Sequence, residues 1–347
     1  MKTISIKALI AVSGLIIALI ASGSGCGKKP TDPPPPPEEH LFYVASRLAD
    51  NRSIVKTFSV EQEAFIDSFT IDSFEVYDMA VVGNDEKLIL AGRTGVRFYD
   101  LTRKEIILST IEYCCLIQTS VNSEYYKSFA DGTKLFRTDN YQEFYFDTSS
   151  FGSGHFCYNS EYYIYNKDSN VVSYNINGDS IEHSFKLTRN GSLFRVYNIW
   201  PTVDMKKLFL IGNQGHLLYF AVTDFGKDSV RVLQAPLRTW GEDAAVSPDG
   251  RYIYFVNTPY TDAEMPRMKI DVYDVETEQL VTSITTLVQD FWEPEHIALT
   301  SDGKYLMATP WSMGGYHILL IDAKGFKVIG SYQFGDQTIP ETVCTKK

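Results

Sequence analysis

The chain has 347 residues, 44% hydrophobic, 22% charged and 14% aromatic, with 32 Lys and Arg against 43 Asp and Glu for a net charge of −11. That apolar fraction can fill a sizeable core and excludes a mainly disordered chain. The acidic balance excludes a nucleic-acid binder, whose surface needs clustered Lys and Arg to meet phosphate.

Lys2 and Lys7 form a short basic region ahead of an apolar run from Ala8 to Ala21. The run is too short for a comfortable membrane span and fits the hydrophobic region of an export signal. It is followed by Ser22-Gly23-Ser24-Gly25-Cys26, which resembles the lipobox of bacterial lipoproteins, whose cysteine becomes the lipidated N-terminus. Gly25 and Ser24 fit that pattern; Gly23 stands where the family prefers Leu. The resemblance implies a signal peptide over 1–25, lipid on Cys26 and a chain anchored in the bacterial cell envelope, on the outer membrane facing the periplasm or the cell surface. The competing reading is ordinary cleavage near Gly23, which leaves a soluble secreted protein with a free Cys26.

Residues 26–39 contain five consecutive prolines, Pro33 to Pro37. Such a run is a semi-rigid spacer of about 3 Å per residue, long enough here to hold a domain roughly 40 Å from a membrane. Loss of Lys2 and Lys7 with the signal leaves 30 basic and 43 acidic residues, a charge of −13. A body so acidic is not drawn to an anionic bilayer, so the lipid must do the holding.

From His40 to Lys347 the sequence lacks helical periodicity and repeats a four-strand pattern about every 44 residues. The clearest copies begin at 242–258 and 294–310; others begin at 78 and 200, and weaker ones cover 115–148 and 154–187. Asp249-Gly250 and Asp302-Gly303 supply turn chemistry between the first two strands of a copy. The second strands, such as Leu88 to Gly92, Leu208 to Gly212 and Tyr252 to Val256, are apolar on both faces. A sheet packed between two neighbours requires that; a half-solvated sandwich would alternate. Four strands per copy and 308 residues predict an all-β, seven-bladed β-propeller.

The two ends of this region complement each other. Leu41 to Ser46 matches a second strand, so blade one lacks its innermost strand. Pro340-Glu341-Thr342-Val343-Cys344-Thr345 repeats the first strand that begins at Pro294. The C-terminal strand is therefore predicted to complete blade one and close the ring, removing exposed sheet edges. The run from Ser247 to Asn257, followed by Asp271-Val272-Tyr273-Asp274, resembles YVTN-type repeat propellers and the wider group with TolB-like and lactonase-like propellers. The resemblance implies the fold and leaves the function open, because propellers host binding, scaffolding and catalysis alike.

Candidate chemistry is sparse. Cys115, Cys157 and Cys344 fall on predicted innermost strands, where small residues crowd the axis; a disulfide from Cys114 or Cys115 to Cys157 is the alternative in an oxidising compartment. No zinc-ligand spacing, catalytic signature or nucleotide-binding motif occurs, so neither a metal nor a cofactor is expected. Asp78, Glu242, Glu295 and Glu341 align where strand one begins. They are either solvated strand ends or a ring of channel-mouth acids that attracts a cation or amine.

The loops joining strands two and three share a face with the blade-to-blade connections, and the long ones, 46–53, 257–268 and 309–316, belong to adjoining blades one, six and seven. Trp240, Tyr260, Phe291, Trp292 and Trp311 gather there with Arg47, Arg52 and Arg267. Aromatics with a few charges on a rim suit capture of a protein, peptide or glycan ligand; the plainer reading is that they plug blade junctions. The sequence thus favours a binding or interaction module, with a hydrolase or lactonase-like enzyme acting at the channel mouth as the alternative.

Overall fold

β-Branched and aromatic strands of a few residues, separated by polar turns, assemble into seven four-stranded antiparallel sheets, as the repeat predicts. The structure is a computed structural model describing residues 39–347 except 49, 83–85, 111–113, 115, 121, 123, 130–132, 148–153, 168, 238–242, 258–268, 286–292, 312–316, 336–339 and 346–347; for a few strand residues, among them Glu295 and Trp311, it describes the backbone alone. The expected signal, Cys26 and the expected proline tether therefore lie outside the described residues. From His40 to Lys347 the chain is a single unit.

Counting from the axis, the innermost strands are Pro340–Thr345 in blade one, Val76–Val82 in two, Leu116–Thr119 in three, His155–Phe156 in four, Arg195–Pro201 in five, Ala244–Val246 in six and Glu293–Leu299 in seven. Each touches the next around the axis, which makes the arrangement a closed β-propeller. Blade one is completed from the far end of the chain. Phe42 pairs with Thr345, Val44 with Val343 and Ala45 with Thr342, so the C-terminal strand closes the ring as expected.

Seven hydrophobic clusters fill the seven blade junctions. The second strands lie between two of them at once: Leu88, Ile89, Leu90 and Ala91 are all fully buried, although neighbours along the strand face opposite ways. Burial of each such Leu or Ile contributes about 1.5–3 kcal/mol, so the core is spread around the ring.

Turn chemistry repeats with the blades. Between the first two strands, a Ser or Thr hydroxyl and an Asp two residues later bind each other and the turn backbone. Ser247 Oγ meets Asp249 Oδ1 at 2.6 Å and accepts the Tyr252 amide; Thr300–Asp302 and Thr202–Asp204 match it. Gly250 and Gly303 take the left-handed conformation in two of these turns, with φ of 71° and 67°. Met205 stands at the corresponding place in blade five with φ of 60°. The Asp that ends the third strand caps the next turn: Asp100, Asp274 and Asp322 each accept turn amides at 2.8–2.9 Å.

Four innermost strands carry a β-bulge near the blade-connecting face, at Glu341, Tyr77, Tyr197 and Glu295. A bulge leaves one residue unpaired and re-aims it. It also shifts the sequence alignment by one. In structural register Asp78 corresponds to Thr342, Asn198, Asp243 and His296, so Glu242, Glu295 and Glu341 precede that position rather than sharing it.

Candidate functional site

The innermost strand of each blade leaves its axial edge unpaired by other strands, so its amides need acceptors. Two aspartates supply them by bridging neighbouring blades. Asp78 Oδ2 accepts the Ile117 amide of blade three at 2.8 Å, while Oδ1 accepts the Met79 amide at 2.8 Å and the Thr342 hydroxyl of blade one at 3.2 Å. Asp243 does the same between blades six and seven, accepting the amides of Ala244 at 2.8 Å and Ile297 at 3.1 Å. His296 Nδ1 lies 3.7 Å from Asp243 Oδ2. Burial pushes the Asp78 carboxyl above the usual carboxylate range, opposed by the charge of His296 and the three hydrogen bonds. Two carboxylates and an imidazole therefore share the axial mouth.

Two residues deeper, roughly 7 Å along the strands, the same register holds Cys344, Ala80, Ala245 and Ala298 in blades one, two, six and seven, but Gln118, His155 and Trp200 in blades three, four and five. Small residues on one side leave room that the large ones on the other side occupy. His155 Nε2 and Gln118 Nε2 are 2.8 Å apart, and the His155 and Trp200 rings lie 5.6 Å apart between centroids. Burial, and then the charge of fully buried Lys127, pull the His155 pKa down to about 3 against the opposing charge of Asp243. The neutral ring accepts from Gln118 at Nε2 and keeps its proton on Nδ1. If the amide is turned over, it accepts from the ring instead; either way one polar end of Gln118 is unpaired. Gln118 Oε1, Asn198 Oδ1 and Trp200 Nε1 are buried with no hydrogen-bond partner among the described residues, and Trp200 is only 3% exposed. Native interiors seldom tolerate such atoms, and here three lie near one axis.

The expected rim residues divide differently. Arg47 pairs with Glu341 and lies 5.3 Å from the Tyr77 ring, so it bridges bulge residues of blades one and two at the mouth. Arg52 binds Asp50 within its own loop, on the exposed surface. Trp240, Tyr260, Phe291, Trp292, Arg267 and Glu242 lie outside the described residues, as do the side chains of Trp311 and Glu295. Cys157 is a free thiol, buried between blades four and five and pushed up in pKa by burial, whereas Cys114 is buried between blades two and three. Two different junctions separate them, and Cys115 lies outside the described residues.

The sequence reading missed Gln118, His155, Trp200, Asp243 and His296. Blades three and four are the weakest copies of the repeat, so nothing in the sequence alone aligned Gln118 and His155 with Ala80. Among the described residues no cluster of three or more metal-ligating side chains occurs, and no helix is long and apolar enough to cross a membrane.

The fold and its axial site define the class: a seven-bladed β-propeller with a polar axis. No protein-family model matches the sequence, and no curated protein matches it. Among solved structures the chain is similar to a 6-phosphogluconolactonase-like protein from Bacteroides fragilis, with 15% identity over 91% of this chain and 100% of that one and a TM-score of 0.62. It is also similar to a protein of unknown function from Desulfotomaculum acetoxidans, with 12% identity, 89% and 99% coverage and a TM-score of 0.63. Hydrazine synthase from Kuenenia stuttgartiensis is a third, with 12% identity, 78% and 89% coverage and a TM-score of 0.58. At such identities the likeness is one of fold.

Proposed function

We propose that this propeller is a binding module held at the bacterial cell envelope by lipid on Cys26, with a ligand seat at the axial mouth on the blade-connecting face. The ligand is a protein segment, peptide or glycan that inserts a polar group along the axis. The observation that carries this reading is that Trp200 Nε1 and Gln118 Oε1 are buried without a partner two residues beneath the register of Asp78 and Asp243, with Asn198 Oδ1 likewise unpartnered in that upper register. Such atoms are worth little to the fold and gain a hydrogen bond when a polar guest arrives. The test screens glycans and peptides against the intact chain and carries each hit to Trp200→Phe, which removes the indole N–H and keeps a ring. Binding weakened about tenfold, with the melting temperature unchanged, supports the seat. Hits whose affinity is the same in Trp200→Phe and Asp243→Asn would place the seat elsewhere.

The anchor rests on the export-type segment, the small residues before Cys26 and the proline spacer. Mass spectrometry of the N-terminus tests it: diacylglycerol on Cys26 supports the anchor, and an unmodified N-terminus near Ser24 refutes it. A second reading, an enzyme at the same mouth, is favoured by one feature: His296 beside Asp243, with Asp78 close enough to feel its charge. A base and an acid around one opening suit proton transfer to a substrate such as a lactone. Turnover of a gluconolactone that disappears in His296→Ala would make the enzyme the better reading.

A further inference from the structure

On the face opposite the blade connections, a cavity of about 300 Å3 opens between blades four and five. The turn at Asn159 and the start of the second strand at Tyr162 form one side; Val203, Asp204 and Met205 of the blade-five turn form the other. Ser173 and His183, directly paired across adjacent strands of blade four, contribute from that blade, and Phe225 of blade five completes the lining.

Two independent features mark it as a site. The first is its walls. Tyr162, His183 and Phe225 are rings, and Phe225 is fixed by edge-on contacts with His183 at 5.4 Å and Phe185 at 5.8 Å between centroids. An edge-on ring pair is a favoured geometry, so this wall is formed before any guest arrives. The second is Ser173. Its side chain is fully buried, it lines the cavity, and its Oγ has no hydrogen-bond partner among the described residues. A buried hydroxyl without a partner is uncommon in native proteins and needs an explanation.

The adjoining groove between blades five and six offers a useful contrast. It is larger, at about 740 Å3, and two of its lysines are engaged, Lys206 with Asp204 at 2.9 Å and Lys207 with the Val275 carbonyl at 2.8 Å; none of its lining residues holds a buried polar side-chain atom without a partner. The smaller cavity does.

From this we infer that the blade four–five cavity is a binding site for a small aromatic molecule bearing one hydroxyl, of the phenol class. Its ring packs among Tyr162, His183 and Phe225, and its hydroxyl meets Ser173 Oγ. Serine both donates and accepts, so it can pair with a phenol whichever way the proton lies. Adaptable Met205 on the opposite wall suits an aromatic edge. The site shares no residue with the axial mouth, so it stands or falls independently of the function proposed above.

The experiment titrates the full chain with 4-fluorophenol and with fluorobenzene, followed by fluorine NMR. The two probes have nearly the same shape and differ by the hydroxyl. The expected result is that 4-fluorophenol binds about tenfold more tightly than fluorobenzene, and that Ser173→Ala removes this preference. Val203→Trp, on an exposed turn, is expected to abolish binding of both by filling the cavity. Circular dichroism establishes that each variant is folded, and Phe225→Leu serves as the second wall variant if Val203→Trp is not. Equal binding of the two probes, a preference that survives Ser173→Ala, or binding unaffected by either wall variant overturns the proposal.

Discussion

Ending the chain at Ile339 removes the innermost strand of blade one. The loss comprises five paired backbone positions, from Phe42–Thr345 to Ser46–Pro340, together with fully buried Thr342 and nearly buried Val343. Backbone hydrogen bonds contribute about 0.5–1.5 kcal/mol each, and burial of a valine about 1.5–2 kcal/mol, so the loss is roughly 4–9 kcal/mol. Domains of this kind have about 5–15 kcal/mol in total, and one of this size loses roughly 1.5 °C per kcal/mol. The truncated chain should therefore melt about 6–14 °C lower or fail to fold, and should self-associate through the bared edge of Leu41–Arg47. The assay is thermal denaturation by circular dichroism with size-exclusion chromatography, repeated after adding a synthetic peptide of residues 340–347. Recovery of melting temperature and monomer with the peptide is expected. A truncated chain that melts within 2 °C of the intact one and stays monomeric would refute the closure reasoning.

His40 Nε2 lies 3.0 Å from Asp302 Oδ2 and His40 Nδ1 2.6 Å from Glu61 Oε1, joining blades one and seven; burial alone would lower its pKa, but the two carboxylates outweigh that and raise it. A raised histidine pKa stabilises the fold below its ordinary value of about 6.5 and loses that contribution as pH rises through the folded value. The melting temperature should thus fall from pH 6.5 upward, and less steeply in His40→Gln; parallel curves would refute the clamp. His155, held near pKa 3, should show a neutral ring and no titration between pH 5 and 8 in nitrogen-correlated NMR. The unfolded chain takes up a proton that the folded ring refuses, so this residue should also make stability fall as pH drops below about 6.5. A titration near 6.5 would show the ring to be solvated.

The fold was legible because a propeller writes itself into local chemistry. Both faces of Leu88–Gly92 are buried, so the strand reads as a continuous apolar run, and in blade six Asp249-Gly250 marks the first hairpin turn in a form only a few residues can supply. Closure was legible because Pro340–Thr345 repeats a strand whose partner was missing at the other end. The axial site was not legible, for two physical reasons. Bulges at Tyr77, Glu295 and Glu341 displace the pairing by one residue, so aligning acids by sequence picks the residue before the one that reaches the next blade. Gln118, His155 and Trp200 replace small residues on one arc of the ring, and their meeting depends on closure rather than on sequence spacing. Arg47 and Arg52 read alike in sequence, yet one bridges two blades while the other is satisfied by its own loop.

Within the propeller, the strand that completes blade one is the last to be synthesised. Until Pro340–Thr345 arrives, Leu41–Arg47 has a partner on one side only, however many later blades have formed. The growing propeller is therefore an open arc until that strand is made, with the apolar faces of its first and last blades both bare. A premature stop within blade seven would not give a smaller working ring. It would give an arc with two adhesive ends, so the fold makes closure of the ring conditional on the six residues Pro340–Thr345.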